Sequence, residues 1–77
     1  MSLTDIYTLS NGAEIWLFKP TVKPMEKNPN WTSAFIDANR NHVAWGKHVS
    51  RESFLSGVID KATVVRHQDM ETRTTWS

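Results

Sequence analysis

The segment from Trp31 to Ala62 constrains the fold of this chain most, because it joins two strand patterns, a turn and a capped helix. Two runs rich in aromatic and β-branched residues, 31–38 and 43–49, flank a polar cluster at 39–42 that is typical of a turn. A helix signal follows directly after the second run. The segment therefore predicts a β-hairpin followed by a helix.

The register of this hairpin predicts which of its faces is buried. A two-residue loop at Arg40 and Asn41, or a four-residue loop around them, places Ile36 opposite Trp45. The face expected to lie in the core carries Ile36, Ala38, Val43 and Trp45. The second face is expected to be only partly covered, and it carries Phe35, Asp37, Gly46 and His48, with Phe35 across from Gly46.

The helix signal begins at Ser50, whose hydroxyl can accept a hydrogen bond from an unpaired backbone N–H at the start of the helix. Val49 before it and Phe54 after it fit a hydrophobic staple. The apolar side chains at helical spacing are Phe54, Leu55, Val58, Ile59 and Ala62. Gly57 costs roughly 1 kcal/mol relative to Ala in a helix interior. We therefore expect packing of this stripe, rather than helix propensity, to stabilise the helix.

A second hairpin signal lies near the N-terminus. Asn11 and Gly12 can adopt the two positive φ angles that a type I′ turn requires. In the resulting register Tyr7 lies opposite Trp16. The strands of this hairpin are expected at 5–9 and 14–18. Both faces of these strands are largely apolar, so we expect the hairpin to lie centrally in a sheet or to be covered on its second side.

The segments outside the hairpins and the helix give weaker signals. The stretch 19–30 contains all three prolines and predicts a connection, with a binding loop around Met25 as the alternative. After the helix, 63–67 predicts a strand. The segment 68–77 predicts a turn and then an edge strand over 71–76, with a mobile tail as the alternative.

Together these elements predict a single α+β domain over residues 1–77. Its sheet is small and antiparallel and is built from two consecutive β-hairpins. One amphipathic helix packs on the sheet, and one or two C-terminal strands complete it. The expected order of elements is of the ββββαβ type.

The charge balance argues against a surface built for nucleic acid. Nine Lys and Arg residues oppose eight Asp and Glu residues, and the two signs are interspersed. The chain has no cysteine, no apolar run approaching ~18 residues and no basic-then-apolar signal pattern. We therefore expect a cytoplasmic location and no membrane partner. A short, cysteine-free chain with four tryptophans also suggests an accessory protein of a phage or mobile element, although no motif supports that origin.

No arrangement of chemically active residues predicts an enzyme. The three histidines, His42, His48 and His67, form no zinc-binding spacing. Nothing resembles a nucleophile elbow, a phosphate loop or a dinucleotide fingerprint. So short a chain also has difficulty enclosing a pocket of the roughly 300 Å³ typical of small-molecule sites. We therefore expect no catalytic residue, no metal, no cofactor and no small-molecule substrate.

The aromatic residues carry the functional expectation. Trp16 and Trp45 are expected in the core because of their strand positions, whereas Trp31 and Trp76, at segment ends, are expected to be exposed. The candidate partner-binding residues are Trp31, Phe35, Arg73 and Trp76. We expect a non-enzymatic protein-binding module or assembly subunit whose partner is another protein or a second copy of the chain. The alternative is a small nucleic-acid-binding regulator, whose exposed tryptophans stack on bases beside Lys and Arg.

Overall fold

The computed structural model describes residues 2–21 and 30–76, which form a small α+β fold with a six-stranded antiparallel sheet and one short helix. The strands are β1 (Ser2–Leu9), β2 (Glu14–Lys19), β3 (Trp31–Ile36), β4 (His42–His48), β5 (Val64–Asp69) and β6 (Thr74–Trp76). The helix α1 spans Arg51–Gly57 and is followed by a 3₁₀ turn at Ile59–Lys61. The predicted α+β class is confirmed. Within the described ranges, no helix has the length and apolar character needed to cross a membrane.

The strands lie in the order β4-β3-β2-β1-β5-β6, and each neighbouring pair is antiparallel. The N-terminal hairpin, β1 and β2, therefore lies at the centre of the sheet, where both of its edges pair with other strands. Strands β4 and β6 form the two edges. The predicted proline-containing connection at 19–30 falls for its greater part, 22–29 with Met25, outside the described residues.

The loop between β1 and β2 is not the predicted type I′ turn. Gly12 N–H donates to the Leu9 carbonyl at 3.0 Å, and Leu9 N–H donates to the Ala13 carbonyl at 2.8 Å. Gly12 has a φ of 89°, whereas Asn11 has no positive φ and instead accepts from Ala13 N–H through its side chain at 2.9 Å. This is a type I turn closed by a glycine bulge. The extra loop residue shifts the register by one, so that Tyr7 lies opposite Ile15.

The loop between β3 and β4 has the same construction with a non-glycine residue at the bulge. Asp37 N–H donates to the Asn41 carbonyl at 3.0 Å, and Arg40 N–H donates to the Asp37 carbonyl at 3.0 Å. Arg40 takes the positive φ, 67°. A further irregularity opposite Phe35 adds one residue to β4. The predicted register is therefore wrong by two residues, and Trp45 lies opposite Ala34 instead of Ile36.

The helix packs on the face of the sheet that the sequence predicted to be only partly covered. Phe54 of α1 is fully buried, and its ring contacts Tyr7 and His48, with centroids 5.8 and 5.1 Å away. The buried core cluster consists of Tyr7, Ile15, Leu17 and Phe54. The partly buried hydrophobic residues around it are Leu9, Trp31, Phe35, Leu55, Val58, Ile59 and Val64.

The predicted core face of the second hairpin is therefore the outer face. Val43 and Trp45 are 54% and 62% exposed, Ala38 is exposed, and Ile36 is half-buried. Phe35 instead packs against the core. The predicted contact of Phe35 with Gly46 is also wrong, because Gly46 lies opposite Ser33. The physical reason is that alternation along a strand assigns its side chains to two faces but does not determine which face the helix covers. The face on which the helix packs is the one that becomes buried.

The helix start is confirmed, but the helix is shorter than expected. Ser50 Oγ accepts from Ser53 N–H at 3.1 Å. The helix ends at Gly57, a weak helix former, and β-branched Val58 leaves the helical conformation with a φ of −121°. The predicted staple is wrong, because Val49 is 79% exposed instead of packed on Phe54.

The C-terminal segment forms the edge of the sheet next to β5. Strand β6 is shorter than the predicted 71–76, since residues 70–73 form the connecting turn. The Asp69 side chain stabilises this turn by accepting from the backbone N–H groups of Glu71 at 2.9 Å and Thr72 at 3.1 Å. Three backbone pairs then join β6 to β5, including Trp76 opposite His67.

Candidate binding surface

The sheet has an open face on the side away from α1. Because side chains alternate along each strand, the residues of this face follow from the strand pairings. The larger side chains of the open face are Ile6, Glu14, Trp16, Phe18, Ile36, His42, Trp45 and Lys47. Among the described residues, no helix or strand packs on this face. Contacts within the described part of the chain therefore bury this face less than the face that carries α1.

Four rings form an aromatic row across the open face: Trp16, Phe18, Trp45 and His42. The Trp16 and Phe18 centroids lie 6.5 Å apart, those of Phe18 and Trp45 6.2 Å, and those of Trp45 and His42 4.3 Å. Trp45 is 62% exposed, whereas Trp16 and Phe18 are half-buried. The row runs from the central strand β2 to the edge strand β4, so it spans three neighbouring strands.

A small residue on β3, Ala34, leaves room for the rings on the neighbouring strands. Ala34 lies directly opposite Trp16 on one side and Trp45 on the other, and it is buried although it belongs to the open face. The bulge in β4 shifts the register by one residue and also turns His42 to the same side of the sheet as Trp45. Cross-strand packing of this kind is a normal source of sheet stability. Here it also holds the aromatic row in a fixed arrangement.

The described charged groups around the row are few and leave a small net positive charge. Arg40 forms an ion pair with Glu14, and the indole N–H of Trp16 donates to the same carboxylate at 3.3 Å. Among the described residues, Lys47 and Arg66 are further cations on this face. A shallow groove of about 560 Å³ beside the row is lined by Thr32, Trp45, Gly46 and Lys47. The open face thus offers apolar area with a few charges at its margin.

The structure does not bring the four candidate partner-binding residues together. Trp31 and Phe35 lie on β3 and pack partly buried against the core cluster. Trp76 lies on β6 at the opposite edge and is 50% exposed. Arg73 is exposed in the preceding turn, where it lines a groove of about 390 Å³. Three strands separate the two pairs, so they do not form one surface. A binding role for any of them stays a prediction.

Sequence reasoning missed the members of the aromatic row. Trp45 was expected in the core, which is wrong, and Trp16 is only half-buried. One available signal was the alternation of Trp16 and Phe18 with the buried Ile15 and Leu17, which makes both faces of β2 apolar. A strand with two apolar faces needs cover on both.

A buried ionic cluster lies on the helix side of the sheet. The Asp5 carboxylate, 2% exposed, accepts hydrogen bonds from Thr4 at 2.7 Å, His67 at 2.7 Å and Arg51 at 3.1 Å. Burial opposes ionisation of Asp5, but these hydrogen bonds outweigh it and hold the pKa of Asp5 below its usual value. The same surroundings, burial first and the Asp5 charge second, raise the pKa of Tyr7 to about 12. The cluster joins β1, β5 and α1.

The His67 ring completes this cluster by stacking between two other rings. Its centroid lies 4.2 Å from that of Tyr7 and 4.9 Å from that of Trp76, with interplanar angles of 4° and 21°. Trp76, expected to be free for a partner, thus has an intramolecular contact on one side. The Asp5 carboxylate accepts its hydrogen bonds from the neighbouring side chains of Thr4, Arg51 and His67, which fits a structural role for the cluster.

A Ser–His pair lies at the other end of the same face. Ser33 Oγ and His48 Nε2 share a hydrogen bond of 2.9 Å, and burial lowers the pKa of His48. A Cβ on Gly46 would lie 2.8 Å from Ser33 Oγ and 3.1 Å from His48 Nε2, so the absence of a side chain at Gly46 makes room for the pair. Among the described residues, no carboxylate hydrogen-bonds to His48, and no three His, Asp or Glu side chains form a metal-binding group.

Searches of protein-family models, curated proteins and solved structures found no match to this chain.

Proposed function

We propose that this chain is a non-enzymatic, cytoplasmic protein-binding domain or assembly subunit that binds its partner with the open face. The observation that carries the proposal is the aromatic row, which includes the exposed Trp45 and lies on a face that no described element covers. Tryptophan is enriched among the residues that dominate binding energy at protein interfaces. We also propose the finer arrangement expected from the sequence, in which two consecutive hairpins are followed by one helix. One helix covers only one face of the sheet, so this arrangement leaves the other face for a partner.

The groups of the open face suit burial in a protein interface. Covering the aromatic row removes apolar area from water, which favours association by about 25 cal/mol per Å². The polar atom of Trp16 already has a partner in Glu14, so its ring can be covered without leaving a buried donor unpaired. Lys47 and Arg66 lie at the margin of the row, where charges set specificity more than affinity.

Nucleic-acid binding is the second candidate function, and one observation favours it. Lys47 lies on the same face and the same strand as Trp45, and bases can stack on rings beside such cations. The charge of the open face supports it less, because Arg40 is already paired with Glu14. A surface that tracks a phosphate backbone carries a concentrated positive patch.

Affinity capture from the source cell tests the protein-binding proposal. The tagged chain is compared with Trp45→Ser on the open face and with the matched control Trp76→Ser on the other face. Both positions are exposed, so neither change should lower stability by more than about 1 kcal/mol. We expect the same protein to be captured by the unmodified chain and by Trp76→Ser, to be lost with Trp45→Ser, and to persist after nuclease treatment. Capture that survives Trp45→Ser would contradict a role for the open face.

An oligonucleotide titration tests the second candidate. Single-stranded and duplex oligonucleotides are added to the purified chain at several salt concentrations, with tryptophan fluorescence as the signal. We expect at most weak binding. Submicromolar binding with a log–log salt slope of about −0.7 to −0.9 per contacted phosphate would establish nucleic-acid binding in its place.

A further inference from the structure

The edge strand β4 concentrates exposed apolar side chains. Val43, Trp45 and Val49, on β4 or directly after it, are 54%, 62% and 79% exposed. Proteins usually protect such an edge with charged residues, proline, β-bulges or very short strands. Strand β4 has seven residues and a single Lys, Lys47; its bulge lies near its start and leaves residues 44–48 regularly paired, and no described strand lies beyond it. It therefore resembles an edge that receives another strand.

The hydrogen-bond pattern shows which backbone groups of β4 point outward. Asp37 bonds to Asn41 across the loop, so the next pair, Ile36 and His42, is a non-bonded pair whose β4 backbone groups point away from β3. The bulge opposite Phe35 takes up one residue, after which the alternation resumes. Trp45 and Lys47 consequently direct their N–H and C=O groups toward the open edge.

We propose that β4 pairs in antiparallel fashion with β4 of a second copy of this chain, about a twofold axis at Gly46. This register joins the outward backbone groups of Trp45 to those of Lys47 in the second copy, and the reverse. It also brings Val43 beside Val49 of the second copy. Each exposed apolar side chain on this edge thereby acquires a neighbour.

A second copy fits this edge because the edge is self-complementary. In the proposed register the Lys47 ammonium of one copy lies beside the exposed Trp45 ring of the other, an arrangement in which a cation and an aromatic ring attract each other. Gly46 has no side chain to obstruct the axis. The opposite edge, β6, has only three residues and cannot offer an equally long pairing.

The inference goes beyond the proposed function and does not depend on it. A twofold axis perpendicular to the sheet places both open faces on the same side, so the two aromatic rows meet at β4. The two proposals can fail separately. If the chain does not self-associate, the capture experiment still tests partner binding by the open face. If no partner is captured, self-association can still be measured on the purified chain.

Sedimentation equilibrium of the unmodified chain, Lys47→Pro and Lys47→Arg tests the proposal. Proline removes the outward N–H that the second copy would use, and edge strands tolerate proline where the N–H faces solvent. Lys47→Arg keeps both the N–H and the cation. We expect the unmodified chain and Lys47→Arg to dimerise, and Lys47→Pro to raise the dissociation constant at least about tenfold, since two symmetric bonds are lost. Dimers of equal stability in all three would show that the copies meet elsewhere, and a chain that stays monomeric at all accessible concentrations would overturn the proposal.

Amide hydrogen exchange on the unmodified chain gives a second test that needs no variant. The N–H groups of Trp45 and Lys47 should exchange more slowly as the protein concentration rises. Those of Thr74 and Trp76 on the other edge should not change with concentration. Protection that is independent of concentration at Trp45 and Lys47 would contradict pairing with a second copy.

Discussion

Asp5 and His67, 62 positions apart in the chain, are joined by a 2.7 Å hydrogen bond between the central strand β1 and its neighbour β5. The imidazole is also held between the rings of Tyr7 and Trp76. This contact adds to the backbone pairing that ties the C-terminal strands to the middle of the sheet. Loss of this contact should therefore lower the stability of the whole fold.

Asp5→Asn should lower the free energy of unfolding by roughly 3 kcal/mol at neutral pH, because it leaves Arg51 and His67 without their buried partner. The pKa of Asp5 is lowered in the folded state. Its stabilisation is therefore present above the unfolded pKa of about 3.9 and is lost as the pH falls through the folded value. Urea unfolding at pH 7 and pH 3 should show a difference between the two proteins that shrinks in acid.

The exposed Glu71 supplies the control for this experiment. Glu71→Gln should change stability by less than about 0.5 kcal/mol at either pH, since it removes a carboxylate without the buried hydrogen bonds of Asp5. An Asp5→Asn protein as stable as Glu71→Gln at pH 7 would show that the buried cluster does not hold the sheet together.

His48 should weaken the fold on mild acidification. Burial lowers its pKa below the usual 6.5, so the unfolded chain binds a proton more readily than the folded chain does. The contribution of neutral His48 is present above pH 6.5 and is lost as the pH falls through the lower folded pKa. NMR titration of its ring should give a midpoint below 6.5. His48→Gln should reduce the loss of stability between pH 7.5 and pH 5.5, and an unchanged loss would contradict this assignment.

Phe54→Ala should be among the most destabilising substitutions in the helix. Phe54 is fully buried against Tyr7 and His48, and removal of so large a ring from a core costs about 3–5 kcal/mol. Ser56→Ala, on the exposed side of the same helix, should cost less than about 0.5 kcal/mol. Thermal unfolding of the two variants measures the contrast. Equal melting temperatures would mean that the helix does not pack as described.

Gly12 and Arg40 occupy equivalent bulge positions in the two hairpin loops but should respond differently to substitution. Gly12→Val should cost about 1–3 kcal/mol, because a β-branched residue is strained at a φ of 89°. Arg40→Gly relieves the same kind of strain at 67° but loses the ion pair with Glu14, so its net effect should stay within about 1 kcal/mol. Denaturant unfolding of both variants tests the comparison, which a tolerated Gly12→Val would contradict.

Local features of this fold could be predicted from the sequence. Ser50 caps its helix as expected, because capping depends on a side chain and a backbone group three residues apart. The turn positions near Gly12 and Arg40 were also identified, since polar residues and glycine mark them. These signals act over a few residues and do not require the rest of the sheet.

The registers and the buried face could not be predicted. Each hairpin loop contains a bulge that adds one residue, and a further bulge lies in β4 opposite Phe35. A shift of one residue in register moves every side chain of a strand to the opposite face. The one-residue shift of the first hairpin therefore changes the face to which Trp16 is assigned. The face of the sheet that α1 covers is determined by the packing of the helix on Tyr7 and Ile15, which are distant from the helix in sequence. Trp45 was therefore assigned to the core, and the aromatic row was missed.

Site-specific photocrosslinking in the source cell tests the central claim most directly. A photoreactive phenylalanine analogue replaces Trp45 on the open face in one variant and Trp76 on the other face in a second. After irradiation and nuclease treatment, mass spectrometry identifies what is attached at each position. The open-face account predicts a protein crosslinked at position 45 and absent at position 76. A protein crosslinked at position 76 alone, or nucleic acid as the crosslinked species at position 45, would contradict it.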